Sequence, residues 1–280
     1  MRCQDDDVLY FDVDGRGSRL VLVHGFTQTG RSWGPVAADL ARDHEVVRVD
    51  APGHGRSSSL AVDMVEGARL LGEAGGPATY IGYSMGARLC LHLAVAQPEL
   101  VTALVLLSGT AGIEDARARS ARCRDDEALA VELEHVGVAE FVRRWLARPL
   151  FIGLDEDAAG VSARLENTVT GLAASLRLAG TGAQEPLWSR LFELAMPVLV
   201  VAGERDEAFI ARAEAMAAAI GLNAEVAVVP GAGHAAHSEQ PEAFLAIVRR
   251  FLARVRAAPA TSSVSHRAHS PAANPTAKAS

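Results

Sequence analysis

The segment Gly82-Tyr83-Ser84-Met85-Gly86 decides the fold of this chain. A short β-rich run at 78–81 precedes it, and an apolar, helix-forming run at 87–96 follows it. A G-x-S-x-G segment between a strand and a helix is typical of a nucleophile elbow, a sharp turn that exposes a serine at the tip of a sheet. Glycine is expected on both sides of the turn because a Cβ would clash there. The segment therefore predicts an exposed Ser84 above the N-terminus of a helix.

Two apolar runs late in the chain are followed by side chains that could activate this serine. A serine hydroxyl becomes reactive when a histidine takes its proton and an acid orients that histidine. The first run, at 196–203, precedes Glu204 and Asp206, and the second precedes His234. With such an elbow the partners follow in the order serine, acid, histidine. The sequence therefore predicts a triad of Ser84, Asp206 and His234, with Glu204 as the alternative acid.

Simpler explanations exist for the same residues. Asp206 could cap the helix that follows it, and His54 lies in a glycine-rich turn where a structural role is expected. His234 and His237 form an H-x-x-H pair, but no H-E-x-x-H motif or further ligand cluster accompanies them, so a metal site is not expected. The three triad positions together are much harder to explain in this way than any one of them.

Strand-like and helix-like segments alternate along the chain, which predicts a mostly parallel sheet. Residues 7–22 are interpreted as an opening hairpin. Between about 110 and 191 the strand signal disappears, and an Arg- and Ala-rich helical pattern with breaks at Gly137, Pro149 and Gly153 predicts a cap over the sheet. Residues 257–280 are poor in bulky apolar side chains and are expected to be disordered. The prediction is one domain, 1–256, with a helical cap and a tail.

Composition excludes several classes of protein. A chain of 280 residues that is 49% hydrophobic can bury one sizeable core, and its net charge of −7 argues against nucleic acid as a partner. No apolar stretch is long enough for a membrane span, and the acidic start lacks a signal-peptide core. Three scattered cysteines, Cys3, Cys90 and Cys123, fit reduced thiols in a cytoplasm. A monomer or a weak homo-oligomer is expected.

Five segments resemble the α/β-hydrolase superfamily over nearly the whole folded region: His24-Gly25-Phe26, the turn at 50–55, the elbow, 203–206 and 231–234. The resemblance implies an α/β fold, with a mostly parallel sheet flanked by helices and a helical cap insertion. It also implies an oxyanion hole formed by the backbone N–H groups of Phe26 and Met85. Two donors aimed at one oxygen stabilise developing negative charge.

Three local features are similar to one family within it, the 2-succinyl-6-hydroxy-2,4-cyclohexadiene-1-carboxylate synthases of menaquinone biosynthesis. They are the continuation of the elbow through Arg88, the run Gly180-Thr181-Gly182-Ala183-Gln184, and the ending Gly233-His234-Ala235-Ala236-His237. The resemblance implies a lyase that eliminates pyruvate, with Ser84 as general base and no metal or organic cofactor. One departure is Ala208, where the family often has a basic residue.

The implied substrate is a small, multiply anionic molecule, which suits arginine because its planar fork binds carboxylates. Arg122, Arg164 and Trp145 match substrate-contacting cap residues of the family, and Tyr83 matches a polar contact. Most other cap arginines are expected on solvated helix faces. Two alternatives remain: a serine hydrolase acting on a small ester or a C–C bond of a diketone, and a ligand receptor without turnover, which the intact triad disfavours.

Overall fold

The computed structural model describes residues 8–257. The predicted disordered tail, 257–280, lies outside this range except for Ala257, and so does Cys3. The core of the molecule is a seven-stranded sheet with the order β1-β3-β2-β4-β5-β6-β7, in which β1 is antiparallel to β3 and the other pairs are parallel. The strands are β1 (Phe11–Gly15), β2 (Ser18–Val23), β3 (His44–Val49), β4 (Ala78–Tyr83), β5 (Val101–Leu107), β6 (Val198–Gly203) and β7 (Ala224–Val229).

Helices cover both faces of this sheet. They are α1 (Gly34–Leu40), α2 (Met64–Gly75), α3 (Met85–Ala96), α4 (Ala116–Leu146), α5 (Glu156–Ala159), α6 (Val161–Arg164), α7 (Val169–Ala179), α8 (Glu207–Ile220), α9 (Ala236–Glu239) and α10 (Pro241–Ala257). The predicted fold class, a mostly parallel sheet flanked by helices, is confirmed. Within residues 8–257, none of the helices has both the length and the apolarity needed to cross a lipid bilayer.

Strand side chains alternate between two apolar layers. Successive residues of a strand point to opposite faces, so Val21 and Leu104 pack on the side of α2, α3 and α8, whereas Leu20 and Val105 pack on the side of α1 and α10. Central strands are buried on both faces, which is why they read as continuous apolar runs in the sequence. The two layers hold the carboxyl ends of β4, β6 and β7 at one edge of the sheet.

The prediction of an opening hairpin is wrong. β1 does not pair with β2; it pairs antiparallel with β3, and β3 lies between them. The short link crosses the start of β3, where Gly15 and Gly17 adopt φ of 76° and 128°. A Cβ at either glycine would clash with backbone carbonyls of the segment that leads into β3. Glycine therefore allows the chain to cross the start of β3 where the sequence predicted a hairpin.

The chain between β5 and β6 forms helices α4 to α7 above the carboxyl edge of the sheet. At Gly137, where φ is 78°, α4 changes direction, and Pro149 begins a short 3₁₀ turn. Helices α4 and α7 pack through an apolar cluster of their own, and Phe26 from the loop after β2 packs against that cluster. This region, the cap, therefore has its own core, and Phe26 packs the loop after β2 against it.

Candidate active site

Ser84 occupies the turn between β4 and α3, with φ of 51° and ψ of −106°. A Cβ at Gly82 would clash with the backbone of Gly86 and Ala87, and a Cβ at Gly86 would clash with the carbonyl of Val23. The predicted need for glycine on both sides is therefore confirmed by close backbone approach. Such a left-handed conformation is costly for serine and is maintained by the structure around it.

The three predicted triad side chains meet at the carboxyl edge of the sheet. His234 Nδ1 lies 2.7 Å from Asp206 Oδ2, and His234 Nε2 lies 3.2 Å from Ser84 Oγ. A carboxylate only accepts hydrogen bonds, so the Nδ1–H donates to Asp206 and Nε2 is left to accept the serine hydroxyl proton. His234 is 2% exposed. This arrangement can move a proton from Ser84 to His234 and stabilise the imidazolium that results.

The structure also separates the two candidate acids. The side chain of Asp206 does not cap α8, so its carboxylate serves His234 instead. Glu204 points away from the site, and its carboxylate accepts the N–H of Gly231 at 2.7 Å. Asp206 is therefore the acid that contacts the histidine.

The two predicted oxyanion donors lie beside Ser84. Met85 is the first residue of α3, where a backbone N–H has no carbonyl of its own helix to bind. Phe26 follows the buried His24-Gly25 pair in the loop after β2. Within residues 8–257, neither N–H donates a hydrogen bond to another residue. Both residues line the cavity that contains Ser84, so both donors remain available to a ligand.

The cavity has a volume of about 370 Å³ and lies between the sheet edge and the cap. Its apolar walls include Trp145 and Phe209. Three arginines, Arg88, Arg122 and Arg212, line it together with a single carboxylate, that of Asp126. The cavity therefore carries an excess of positive charge and suits an anionic ligand.

Two of the four predicted substrate-binding residues line this cavity. Arg122 donates from Nε to Asp126 Oδ1 at 2.8 Å, which leaves other N–H groups of its fork for a ligand. Trp145 lies edge-to-face against Phe26, with ring centroids 5.1 Å apart, and forms part of the apolar wall. These positions are consistent with the predicted contacts.

Arg164 does not line the cavity, so its predicted substrate contact is not found. Its side chain is 1% exposed, Nε donates to the carbonyl of Ala159 at 2.7 Å, and Nη1 donates to the hydroxyl of Thr27. Burial lowers the pKa of Arg164 to about 10. The guanidinium therefore lies behind the loop that carries Phe26 and binds that loop. Its position on a cap helix did not predict this contact.

Tyr83, predicted as a polar substrate contact, does not line the cavity either. Its side chain is 3% exposed and lies beneath the serine, between the rings of His234 and His237, at 5.5 Å and 4.4 Å. Burial raises the pKa of its hydroxyl. Tyr83 points into the layer under the site because successive residues near the end of β4 alternate in direction. It supports the histidine and does not line the cavity.

Sequence reasoning missed Arg88. It lies one turn after Ser84 on α3, is 7% exposed, and donates to the carbonyl of Ala179 at 2.9 Å. No carboxylate within the described part of the chain forms a salt bridge with it, and burial lowers its pKa to about 10. The available signal was an arginine four residues after the serine in an otherwise apolar helix.

Arg212 was also missed. It lies on α8, where its guanidinium stands 4.6 Å from the ring centroid of Phe209 and donates to the carbonyl of Ala208. Residues four apart share a helix face, so Arg212 brings a cation to the side of the helix where Ala208 carries none. The departure at Ala208 was the signal for looking one turn further.

The run Gly180-Thr181-Gly182-Ala183-Gln184 builds the wall between the cap and α3. A Cβ at Gly182 would clash with the backbone of Cys123, and the N–H of Gly182 donates to Asp126 Oδ2 at 3.1 Å. Gln184 is fully buried, and its Oε1 lies 3.4 Å from Arg88 Nη1. Glycine at 182 therefore permits the backbone approach that brings Arg122, Asp126 and Arg88 around one cavity.

Comparison with known proteins gives a consistent picture. The profile of the family described as "Alpha/beta hydrolase family" matches residues 20–247. An Enterobacter sp. (strain 638) protein named 2-succinyl-6-hydroxy-2,4-cyclohexadiene-1-carboxylate synthase is 31% identical over 243 residues, which are 83% of this chain and 91% of that protein. A Bacillus subtilis (strain 168) protein that carries this name provisionally is 35% identical over 250 residues, 84% of this chain and 90% of that protein.

A solved structure entitled "Structure of MenH from S. aureus" is similar over 88% of this chain and 99% of that chain, with a TM-score of 0.80 and 28% identity. An esterase from Thermogutta terrifontis, in a malate-bound structure, has a TM-score of 0.77 over 88% of this chain and 93% of that chain, at 24% identity, and supports the fold alone.

Proposed function

This chain belongs to the alpha/beta hydrolase family, and we propose that within the family it is a carbon–oxygen lyase. The proposed substrate is 2-succinyl-5-enolpyruvyl-6-hydroxy-3-cyclohexene-1-carboxylate. The products are 2-succinyl-6-hydroxy-2,4-cyclohexadiene-1-carboxylate and pyruvate, in menaquinone biosynthesis. The similarity to proteins named as this synthase supports the reaction. The structural observation that best supports the proposal is that the serine and three arginines line one cavity.

The names of substrate and product define the chemistry that the site must perform. The ring double bond at position 3 becomes two double bonds, at positions 2 and 4, so a proton leaves ring carbon 2 and the enolpyruvyl oxygen leaves carbon 5. The proton is acidic because it is next to the succinyl ketone. The bond electrons shift around the ring, the carbon–oxygen bond breaks, and the enolpyruvate takes up a proton to become pyruvate.

Ser84 is the general base in this proposal. His234, held by Asp206, takes the serine proton, and the alkoxide removes the proton from ring carbon 2. Negative charge then develops on the ketone oxygen, where the N–H groups of Phe26 and Met85 would stabilise it. The imidazolium can return its proton to the leaving enolpyruvate. The chain's own residues account for each proton transfer.

The arginines fit the charge of this substrate, which has a ring carboxylate, a succinyl carboxylate and an enolpyruvyl carboxylate. Arg88, Arg122 and Arg212 surround the cavity, and one carboxylate, Asp126, lines it. In a partly dry site, a hydrogen bond between a guanidinium and a carboxylate is stronger than one between neutral groups. The proposed partner is therefore a small anion, acted on by a cytoplasmic monomer or weak homo-oligomer.

The same triad could act as a nucleophile on an ester, so the test must separate the two reactions. Pyruvate release from enzymatically generated substrate is measured for the wild type and for Ser84→Ala, together with the absorbance of the diene. We expect rapid release that requires Ser84. Release no faster than the spontaneous background, with serine-dependent cleavage of simple esters, would instead make the protein a hydrolase.

A further inference from the structure

The loop that carries the first oxyanion donor has an unfavourable backbone. Thr27 directly follows Phe26, is fully buried, and adopts φ of 67°. This left-handed conformation is rare for a β-branched residue and persists only where the surrounding structure holds it. The position of the Phe26 N–H therefore depends on whatever holds Thr27.

Two residues of the cap bind this turn directly. Arg164 Nη1 donates to the Thr27 hydroxyl and lies 3.5 Å from the Phe26 carbonyl oxygen. Asn167 Nδ2 donates to the Thr27 carbonyl at 2.7 Å, while Asn167 Oδ1 accepts the N–H of Gly55 at 2.8 Å. Asn167 therefore links the cap to both the turn and the loop after β3.

The hydrogen-bond partners of the buried Arg164 indicate its role. Within residues 8–257, its side-chain donors reach only the oxygens of Ala159, Phe26 and Thr27, and none of these is a carboxylate. A buried guanidinium without a counter-charge is costly, and an apolar side chain would fill the same space at lower cost. An apolar side chain would lack the N–H donors with which Arg164 binds the Phe26–Thr27 turn, so these hydrogen bonds are what the arginine adds at this position.

The side chain of Phe26 is anchored in the cap as well. Its ring lies edge-to-face against Trp145 at 5.1 Å and against Phe141 at 6.3 Å, and both partners belong to α4. From the opposite side, His54 Nε2 accepts the N–H of Thr27 at 3.3 Å. The turn is thus held by contacts with the cap on one side and with the loop after β3 on the other.

We propose that Arg164 and Asn167 are positioning residues, through which the cap holds the Phe26–Thr27 turn and thereby sets the oxyanion donor of Phe26. The cap then does more than cover the substrate, because displacing residues 164–167 releases the turn. The inference takes its reaction from the proposed function, but the geometry it concerns can be tested without that substrate.

The first test uses a matched pair at one position. Thr27→Val keeps the branched shape and removes the hydroxyl that Arg164 binds, whereas Thr27→Ser keeps the hydroxyl. We expect Thr27→Val to lower kcat by about 10-fold or more with KM within about threefold, since losing one oxyanion donor costs 10²–10³ in kcat. Thr27→Ser should stay within about threefold of the wild type by the same scale. Equal kcat for the two variants would overturn the proposal.

The second test removes the cap side of the contact. Asn167→Ala and Arg164→Lys should lower kcat in the same way, while Thr168→Ala, which removes the hydroxyl that caps α7 and lies near Thr170 but does not bind the turn, serves as the control. Unchanged kcat in a folded Asn167→Ala variant would contradict the inference. If Asn167→Ala does not fold, the Thr27 pair alone decides.

A substrate-independent readout separates this inference from the proposed function. A fluorophosphonate forms a P–O bond with Ser84 as fluoride leaves and His234 takes the serine proton, and its phosphoryl oxygen occupies the oxyanion site. We expect its rate of reaction to fall for Thr27→Val and Asn167→Ala but not for Thr27→Ser or Thr168→Ala. If the wild type reacts with the probe but releases no pyruvate, the proposed function fails while this comparison still tests the positioning role.

Discussion

At the scale of single residues, the site depends on which hydrogen-bond partner each polar side chain reaches. Asp206 and Glu204 are two residues apart on one loop, yet Asp206 binds His234 and Glu204 binds the backbone of Gly231. The same contrast separates Arg122, which lines the cavity, from Arg124, which is exposed and binds Ser120. These neighbours provide matched controls for the roles proposed above.

The two acids give the first prediction. Asp206→Asn should lower kcat for pyruvate release by about 10²-fold or more, because an amide can no longer stabilise the imidazolium that forms when His234 takes the serine proton. Glu204→Gln should leave kcat within about threefold, a margin far below the contribution of a general base. Steady-state kinetics of the two purified variants checks this. Similar losses in both would argue against Asp206 as the orienting acid.

Two arginines of α4 give the second prediction. Arg122→Gln keeps an N–H donor for Asp126 but removes the charge, so KM should rise about 10-fold or more, since hydrogen bonds to charged groups contribute about 1.5–3 kcal/mol. Arg124→Gln should not change KM. An unchanged KM for Arg122→Gln would remove Arg122 from the set of substrate contacts.

At the scale of elements, the loop between α7 and β6 decides the shape of the cavity. Residues 180–184 approach α4 so closely that a Cβ at Gly182 would overlap the backbone of Cys123. The same approach lets Asp126 accept both the Gly182 N–H and Arg122 Nε. One loop thus positions the charged wall of the site.

Gly182→Ala should therefore lower stability by about 1–3 kcal/mol, as inserting an atom into packed structure does, and should raise KM by moving Arg122. Ala183→Ser, an exposed change of one atom in the same loop, is the control. Thermal unfolding and KM are measured for both. Wild-type values for Gly182→Ala would mean that the loop can move away from α4 without consequence.

At the scale of the whole molecule, buried histidines couple folding to pH. Burial lowers the pKa to about 4 for His24 and His92, and to about 3 for His54 and His237. These folded-state values lie below the ordinary value of 6.5, so the unfolded chain binds protons first as the pH falls. The stability that these neutral histidines confer is complete above about pH 6.5 and is lost as the pH falls toward their folded-state values.

Each such histidine should reduce the free energy of unfolding by about 1.4 kcal/mol per pH unit within this window. The ring of His237 is tilted against that of Trp33, with centroids 4.6 Å apart, and neither of its ring nitrogens has a hydrogen-bond partner in the described part of the chain. His237→Phe should therefore reduce the slope by about that amount. Urea unfolding between pH 4.5 and 6, below the ordinary histidine pKa of about 6.5, measures this; the same slope in both proteins would contradict it.

The sequence by itself determined the alternation of strands and helices and the elbow, and it predicted the three triad residues in their chain order. It could do so because these follow from local periodicity, from glycines that tight backbone turns require, and from the fact that parallel strands end at one edge of a sheet. Only the tertiary structure decided between Asp206 and Glu204, and it paired β1 with β3 in place of the expected hairpin. It also buried Arg164 behind the Phe26–Thr27 turn and brought Arg88 and Arg212 into the cavity. The sequence shows that an arginine lies on a helix but not which group it binds, because its partner is fixed only when distant segments pack against it.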